Sequence, residues 1–109
     1  MKKPVRLLIA DDHAIVIAGL SALLSLEPGL EVVATAEDGG EAIEKYRGHQ
    51  PDVALLDLRM PGLGGVEAAR RILAEFPDAR ILILSTFESE EDIHRALQAG
   101  VAGYILKAS

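Results

Sequence analysis

The chain has 109 residues and a formal net charge of −6, with half its residues hydrophobic and 26% charged. That is one domain's worth of sequence, able to hide roughly two-thirds of its unfolded surface and too evenly mixed to be disordered. Cysteine is absent, which excludes a disulfide scaffold, a thiolate metal site and a Cys nucleophile. The acidic balance gives these residues no electrostatic footprint for DNA. No apolar run reaches the ~18 residues of a membrane helix, and Asp11-Asp12 interrupts any signal-peptide core. The expectation is a soluble cytoplasmic domain with no membrane partner. Aromatics are only 4%, so Leu, Ile, Val and Ala must build the core.

In chain order, two textures alternate. Val5 to Ala10 (VRLLIA) is a short apolar run that stops at two aspartates. His13 to Glu27 is rich in Leu and Ala and ends at Pro28-Gly29, a helix stop. Leu30 to Ala36 is rich in β-branched residues. Glu41 to Arg47 predicts a short polar helix opened by Gly39-Gly40. Val53 to Leu56 is a third apolar run and stops at Asp57; Met60 to Gly65 is a Gly/Pro loop. Val66, Ala69, Ile72, Leu73 and Phe76 share one face of a helix over Val66 to Phe76, which Pro77-Asp78 ends. Arg80 to Leu84 is a fourth run, ending at Ser85-Thr86. Glu90 to Ala99 predicts a charged helix with Ile93, Ala96 and Leu97 inward and Gly100 as its C-cap. Tyr104 to Leu106 is the last run, ending at Lys107.

Continuously apolar strands alternating with helices predict a doubly wound parallel sheet with helices on both faces. Ligands of such sheets bind beyond the carboxyl ends of the strands. Those ends carry Asp11-Asp12, Asp57, Ser85-Thr86 and Lys107. Three converging carboxylates repel one another unless a cation sits among them. With oxygen ligands only and three scattered histidines (His13, His49, His94) assigned to no metal, Mg²⁺ is the expected ion. Mg²⁺ held by few protein ligands usually accompanies phosphate, and an aspartate can attack phosphorus to form an acyl phosphate. Asp57, at the end of the third strand and before a loop, is the candidate nucleophile.

The runs Leu8-Ile9-Ala10-Asp11-Asp12-His13, Leu55-Leu56-Asp57-Leu58-Arg59-Met60-Pro61-Gly62, Leu84-Ser85 and Gly103-Tyr104-Ile105-Leu106-Lys107 resemble a bacterial response-regulator receiver domain. The resemblance spans essentially the whole chain, in the family's order and spacing. Asp-Asp-His after the first strand and a lysine not followed by proline are similar to the NarL/FixJ (LuxR-type) subfamily. The resemblance implies a five-stranded sheet in the order 2-1-3-4-5. It implies that Asp57 accepts phosphate from a sensor histidine kinase. Mg²⁺ would be held by Asp11, Asp12, Asp57 and the backbone carbonyl of Arg59. Lys107 would contact the phosphate, Ser85 would move toward it, and Tyr104 would change rotamer as Ser85 moves. Arg59 and Phe87 would line the site and tune the phosphate's lifetime. Such a domain catalyses only its own phosphorylation and dephosphorylation. In an intact regulator it would switch a homodimer and a helix-turn-helix output domain that binds DNA.

Read singly, these residues have plainer roles: Asp12 could cap the first helix, Asp57 could be a turn residue, and Lys107 a solvated terminal lysine. The family's receiver carries a fifth helix after the Lys107 strand, where only Ala108 and Ser109 follow here. One face near strands one and five is therefore expected to lack half its cover. Ile17-Ala18 and Ser21 stand where the subfamily usually has charge, so the first helix is either a drifted surface or a dimerisation surface. Gly64 stands where Asp or Asn is usual, so the third helix should lose a cap. Two other functions compete. One is a receiver-like dimerisation module that is never phosphorylated. The other is an enzyme of flavodoxin-like fold, although Asp11-Asp12-His13 would repel a flavin phosphate.

Overall fold

The computed structural model describes residues 3–85 and 90–106. Its elements are β1 (Val5–Ala10), α1 (Ala14–Ser25), β2 (Leu30–Ala36), α2 (Gly39–His49), β3 (Val53–Asp57), α3 (Gly65–Glu75), β4 (Ile81–Ser85), α4 (Glu90–Ala99) and β5 (Gly103–Leu106). The strands form one parallel sheet in the order β2-β1-β3-β4-β5. This is the three-layer topology anticipated from the alternation of textures.

The order decides where each helix goes. The chain steps from β1 to β2 in one direction, then from β2 to β3 to β4 to β5 in the other. Right-handed crossovers therefore put α1 on one face and α2, α3 and α4 on the opposite one. Strand side chains alternate between faces. Leu8, Ala10, Ala54, Leu56, Ile81 and Ile83 point to the three-helix side and are fully buried. They form one cluster with Ala42, Ile43 and Tyr46 of α2, Ala68, Ala69 and Ile72 of α3 and Ala96 of α4. Tyr46 also stacks in tilted fashion on Phe76, at 5.1 Å between ring centroids. So the core is aliphatic as expected, with one tyrosine added. Burial raises the Tyr46 hydroxyl pKa, helped by the charge of Asp52. Beside the ring pair, Arg47 Nε donates to the Glu75 carboxylate at 2.9 and 3.0 Å. That contact holds the exposed Glu75 carboxyl below its ordinary range.

The other face lacks part of its cover, as expected near the fifth strand, while at the first strand it is covered. Leu7 and Ile9 of β1 are buried beneath α1, yet Leu55 and Leu82, at the centre of the sheet, are only half-buried. Ile105 of β5 is 44% exposed. Among the described residues no helix lies over β3, β4 and β5 on this side. Among the described residues α1 has one neighbour layer and no flanking helix, so it is poorly covered: none of its residues is buried, and Ile15, Leu23 and the C-cap Leu26 face solvent. Ser21 sits on its hidden side with a hydroxyl that finds no hydrogen-bond partner.

Helix ends follow local chemistry. α2 is longer than its polar core suggests, because Asp38 caps it by accepting from Glu41 N at 2.7 Å while the Glu41 carboxylate accepts from Glu37 N at 2.7 Å. That is a reciprocal capping arrangement. α3 begins after Gly64 with no side-chain cap, as the glycine there implies. α1 likewise has no side-chain cap, and its N-cap is His13, so Asp12 is not the capping residue. Ala96 of α4 is buried, but Leu97, expected inward, is 55% exposed, since consecutive helix positions point about 100° apart and the buried stripe runs through Ala96. Gly100, at φ +99°, ends α4 in the left-handed conformation that glycine adopts without strain.

Candidate functional site

In an open parallel sheet the crevice opens where successive connections leave in opposite directions. Here that point lies between the carboxyl ends of β1 and β3. The register pairs Ala10 with Leu56, so one step further brings Asp11 level with Asp57 on the adjacent strand. Both side chains are withdrawn from water: Asp11 is wholly buried and Asp57 is 7% exposed. The backbone locks them in place. Asp11 N donates to Ala36 O at 3.0 Å, and Leu58 N, directly after Asp57, donates to Leu84 O at 2.8 Å.

Asp12 follows at the rim with 31% of its side chain exposed. His13 closes the group. Its backbone N–H donates to Asp11 Oδ1 at 2.9 Å, and its ring Nδ1 lies 3.1 Å from one carboxylate oxygen of Asp11 and 3.1 Å from one of Asp12. Asp11, Asp12 and His13 offer ligand atoms within 4.8 Å of one another. His13 directly follows the acid pair in sequence, and the turn out of β1 folds its ring back over them.

Ser85 is the last residue of β4, 2% exposed and paired in register with Leu106 of β5. Tyr104 of β5 is half-buried against the core cluster and pairs in register with Ile83. Arg59 is exposed in the loop after β3, with Nη2 3.8 Å from Asp92 Oδ2 of α4. The fold thus gathers Asp11, Asp12, Asp57, Ser85 and Arg59 at one edge of the sheet. Lys107, Thr86 and Phe87 lie outside the described residues.

Two neighbouring buried carboxylates without an interposed cation destabilise the fold by like-charge repulsion and desolvation. Asp57→Asn in metal-free buffer is expected to raise stability by about 1 kcal/mol, read from urea titrations. A fall in stability would contradict this account of the site. A divalent ion bound there would relieve the repulsion, so the advantage of the variant is expected to shrink as Mg²⁺ is added.

The response regulator receiver domain family model matches residues 7–109. The chain belongs to the receiver family. The receiver is 50% identical over 105 residues to the oxygen regulatory protein NreC of Staphylococcus epidermidis, covering 95% of this chain and 48% of that protein. It is 48% identical to NreC of Staphylococcus haemolyticus over 103 residues, covering 94% of this chain and 48% of that protein. The chain therefore spans about half the length of the curated relatives it matches. Among solved structures, the receiver domain of the response regulator NarL from Mycobacterium tuberculosis superposes with a TM-score of 0.94 at 39% identity, covering 99% of this chain and 87% of that one. The CheY chain of a CheX–CheY–BeF₃–Mg²⁺ complex from Borrelia burgdorferi gives 0.92 at 29% identity, covering 98% of this chain and 81% of that one. This receiver is thus of the NreC/NarL type, and its fold is that of the signalling receivers.

Proposed function

We propose that this receiver is a phosphorylation switch in which Asp57 takes a phosphoryl group from a sensor histidine kinase. The observation that carries the reading is the pair of Asp57 and Asp11. These are nearly buried carboxylates at the ends of adjacent central strands, at the switch point of a receiver fold. A carboxylate oxygen of Asp57 attacks phosphorus as the bond to the donor nitrogen breaks, and an acyl phosphate forms. Water later attacks phosphorus, releasing inorganic phosphate and restoring the carboxylate. The chain catalyses only these two steps on itself.

The donor set fits a small hard cation: carboxylates of Asp11, Asp12 and Asp57 and no sulfur, with the backbone carbonyl of Arg59 added by the match to the family motif. Mg²⁺ held there would supply positive charge to the phosphoryl oxygens during transfer. Asp11 and Asp12 would hold and orient the cation, and the buried floor under Asp57 limits water. Ser85 supplies a hydroxyl at the neighbouring strand end. In this reading Tyr104, one strand over, reshapes the β4–β5 edge as Ser85 moves. Lys107 takes its phosphate-contacting role from its match to the family motif alone.

Such a switch shifts a population between two states. The accessible partner surface in this reading is α1, where residues 14–25 carry no charged side chain and Ile15 and Leu23 face outward; a second copy would form a homodimer there. An output domain that binds DNA and regulates transcription would follow in a longer regulator, acting in the cytoplasm.

The test is intact mass after incubation with acetyl phosphate and Mg²⁺, beside Asp57→Asn and a sample with excess EDTA. One added phosphoryl group, lost in the variant and with EDTA, is the expected result. A wild-type chain that stays unmodified while folded by circular dichroism would instead leave a dimerisation module that takes no phosphate.

A further inference from the structure

The face of the sheet that carries α1 is half ridge and half floor. α1 forms the ridge. Residues 14–26 include no charged side chain, and a helix without a charged side is normally covered all round. Ile15, Gly19, Leu23 and the C-cap Leu26 recur at helical spacing and form one stripe. Ile15 is 87% exposed, Leu23 65% and Leu26 77%. The stripe is turned away from β2, because Ala14, Ile17 and Ala18 on the other flank line a cleft shared with Thr35 of β2 and with Glu41 and Lys45 of α2.

β3, β4 and β5 form the floor. Residues paired in register in a parallel sheet point to the same face. Ile9, buried beneath α1, pairs with Leu55, and Leu55 pairs with Leu82. Leu84, two residues on, pairs with Ile105. Leu55, Leu82 and Ile105 therefore share a face with α1, the first two half-buried and Ile105 exposed. Ridge and floor also match in size. A helix of 12 residues is ~18 Å long and ~10 Å wide. The five-residue strands β3 and β4 run ~17 Å, and β3 to β5 span ~10 Å between strand axes.

We propose that a second copy of this chain docks on this face by reciprocal seating, α1 of each copy lying on the β3–β5 floor of the other. The proposal rests on the homodimer at α1 put forward above and adds what α1 meets on the partner. It needs neither phosphate nor metal. A two-fold axis in the plane of the interface, parallel to the strands, sets each ridge over the opposite floor. Rotation about that axis keeps every residue at its level along the strands. Ile15, near the carboxyl ends of the strands, meets Ile105 at the same level, and Leu26, at the other end of α1, meets Leu82. Four faces of roughly 18 × 10 Å, rough on the atomic scale, bring the buried area to about 1,000 Å², the size a specific interface needs. The contact is isologous, so it closes at two copies.

The test is sedimentation equilibrium of the chain over a range of concentrations, with no phosphate donor and no metal. A monomer–dimer equilibrium is expected. Ile15→Glu and Ile105→Lys should each weaken it about a hundredfold, since the two-fold interface then buries two unpaired charges. Both residues are exposed, so both variants are expected to keep the circular dichroism spectrum of the wild type. An equimolar mixture of the two variants should recover a heterodimer. One seating then brings the introduced carboxylate to the introduced ammonium, and the other keeps both isoleucines. Leu97→Lys, on α4 across the sheet and likewise exposed, should dimerise as the wild type does. A monomer at every concentration, association that grows past the dimer, or a mixture no tighter than either variant alone would each overturn the seating. If Ile15→Glu disrupts the dimer and Ile105→Lys does not, α1 meets only α1; the homodimer reading survives and the reciprocal seating falls. Failure of phosphate uptake at Asp57 would leave these outcomes unchanged.

Discussion

Gly65→Ala is expected to cost about 3 kcal/mol and to lower the melting temperature by ~15 °C. Gly65 is the first residue of α3, and its N–H donates to Leu58 O at 2.9 Å. Its backbone is not in the left-handed region, so conformational freedom is not what the position demands. Space is. A Cβ there would run into the carbonyl oxygen of Asp57, and it would sit 3.0 Å from that carbonyl carbon and 3.3 Å from Ile83 Cδ1. Two of these three atoms are backbone of the strand end that presents Asp57, so no side chain can simply swing aside. Relief requires α3 to lift from β3 or Asp57 to shift. Phosphate uptake from acetyl phosphate should therefore fall together with stability. Gly19→Ala is the matched control, because a Cβ on that α1 glycine meets nothing within 4 Å. There the higher helix propensity of alanine should stabilise by about 0.5–1 kcal/mol. If both variants melt like wild type, the close seating of α3 on the site is wrong.

Leu56→Ala and Leu55→Ala should differ severalfold although they are the same change at adjacent residues of one strand. Leu56 is wholly buried on the face shared by α2, α3 and α4. Its truncation leaves a cavity that fully buried neighbours such as Ile83 and Ala54 cannot collapse, at a cost of about 3–4 kcal/mol. Leu55 points to the opposite face and is only half-buried. Its truncation removes less apolar area from hiding and leaves no closed void, so about 1 kcal/mol is expected. Urea denaturation of both variants at two protein concentrations decides the matter. A Leu55→Ala cost equal to that of Leu56→Ala would mean that the open face is covered in solution. A cost that rises with protein concentration would point to a second copy as the cover.

Much of the site could be read without coordinates because it is built from strand termini. An apolar run that halts at Asp11-Asp12, another that halts at Asp57 and a third that halts at Ser85 mark their own ends, and parallel pairing then brings those ends to one edge. Helix lengths were less legible. The extension of α2 to Gly39 depends on the Asp38 and Glu41 side chains exchanging bonds with backbone N–H groups, a signal of two residues inside a polar stretch. Helical spacing predicts Leu97 inward, yet it is 55% exposed, because spacing alone does not say which apolar stripe meets a neighbour. The lie of the His13 ring over two carboxylates results likewise from the exit angle of one turn.

By itself the sequence determined the alternation of strands and helices, the parallel sheet, the acidic edge and membership of the receiver family. All of these depend on residues close together in the chain: apolar period, glycine and proline stops, and polar residues at strand ends. The tertiary structure decided which side chains the open face leaves with little cover, Leu55, Leu82 and Ile105. It also decided that His13 joins Asp11 and Asp12, and that the exposed stripe of α1 is the flank turned away from β2. These depend on strand order, on the angle at which a turn leaves its strand and on the rotation of a helix over its sheet, and no local pattern encodes them.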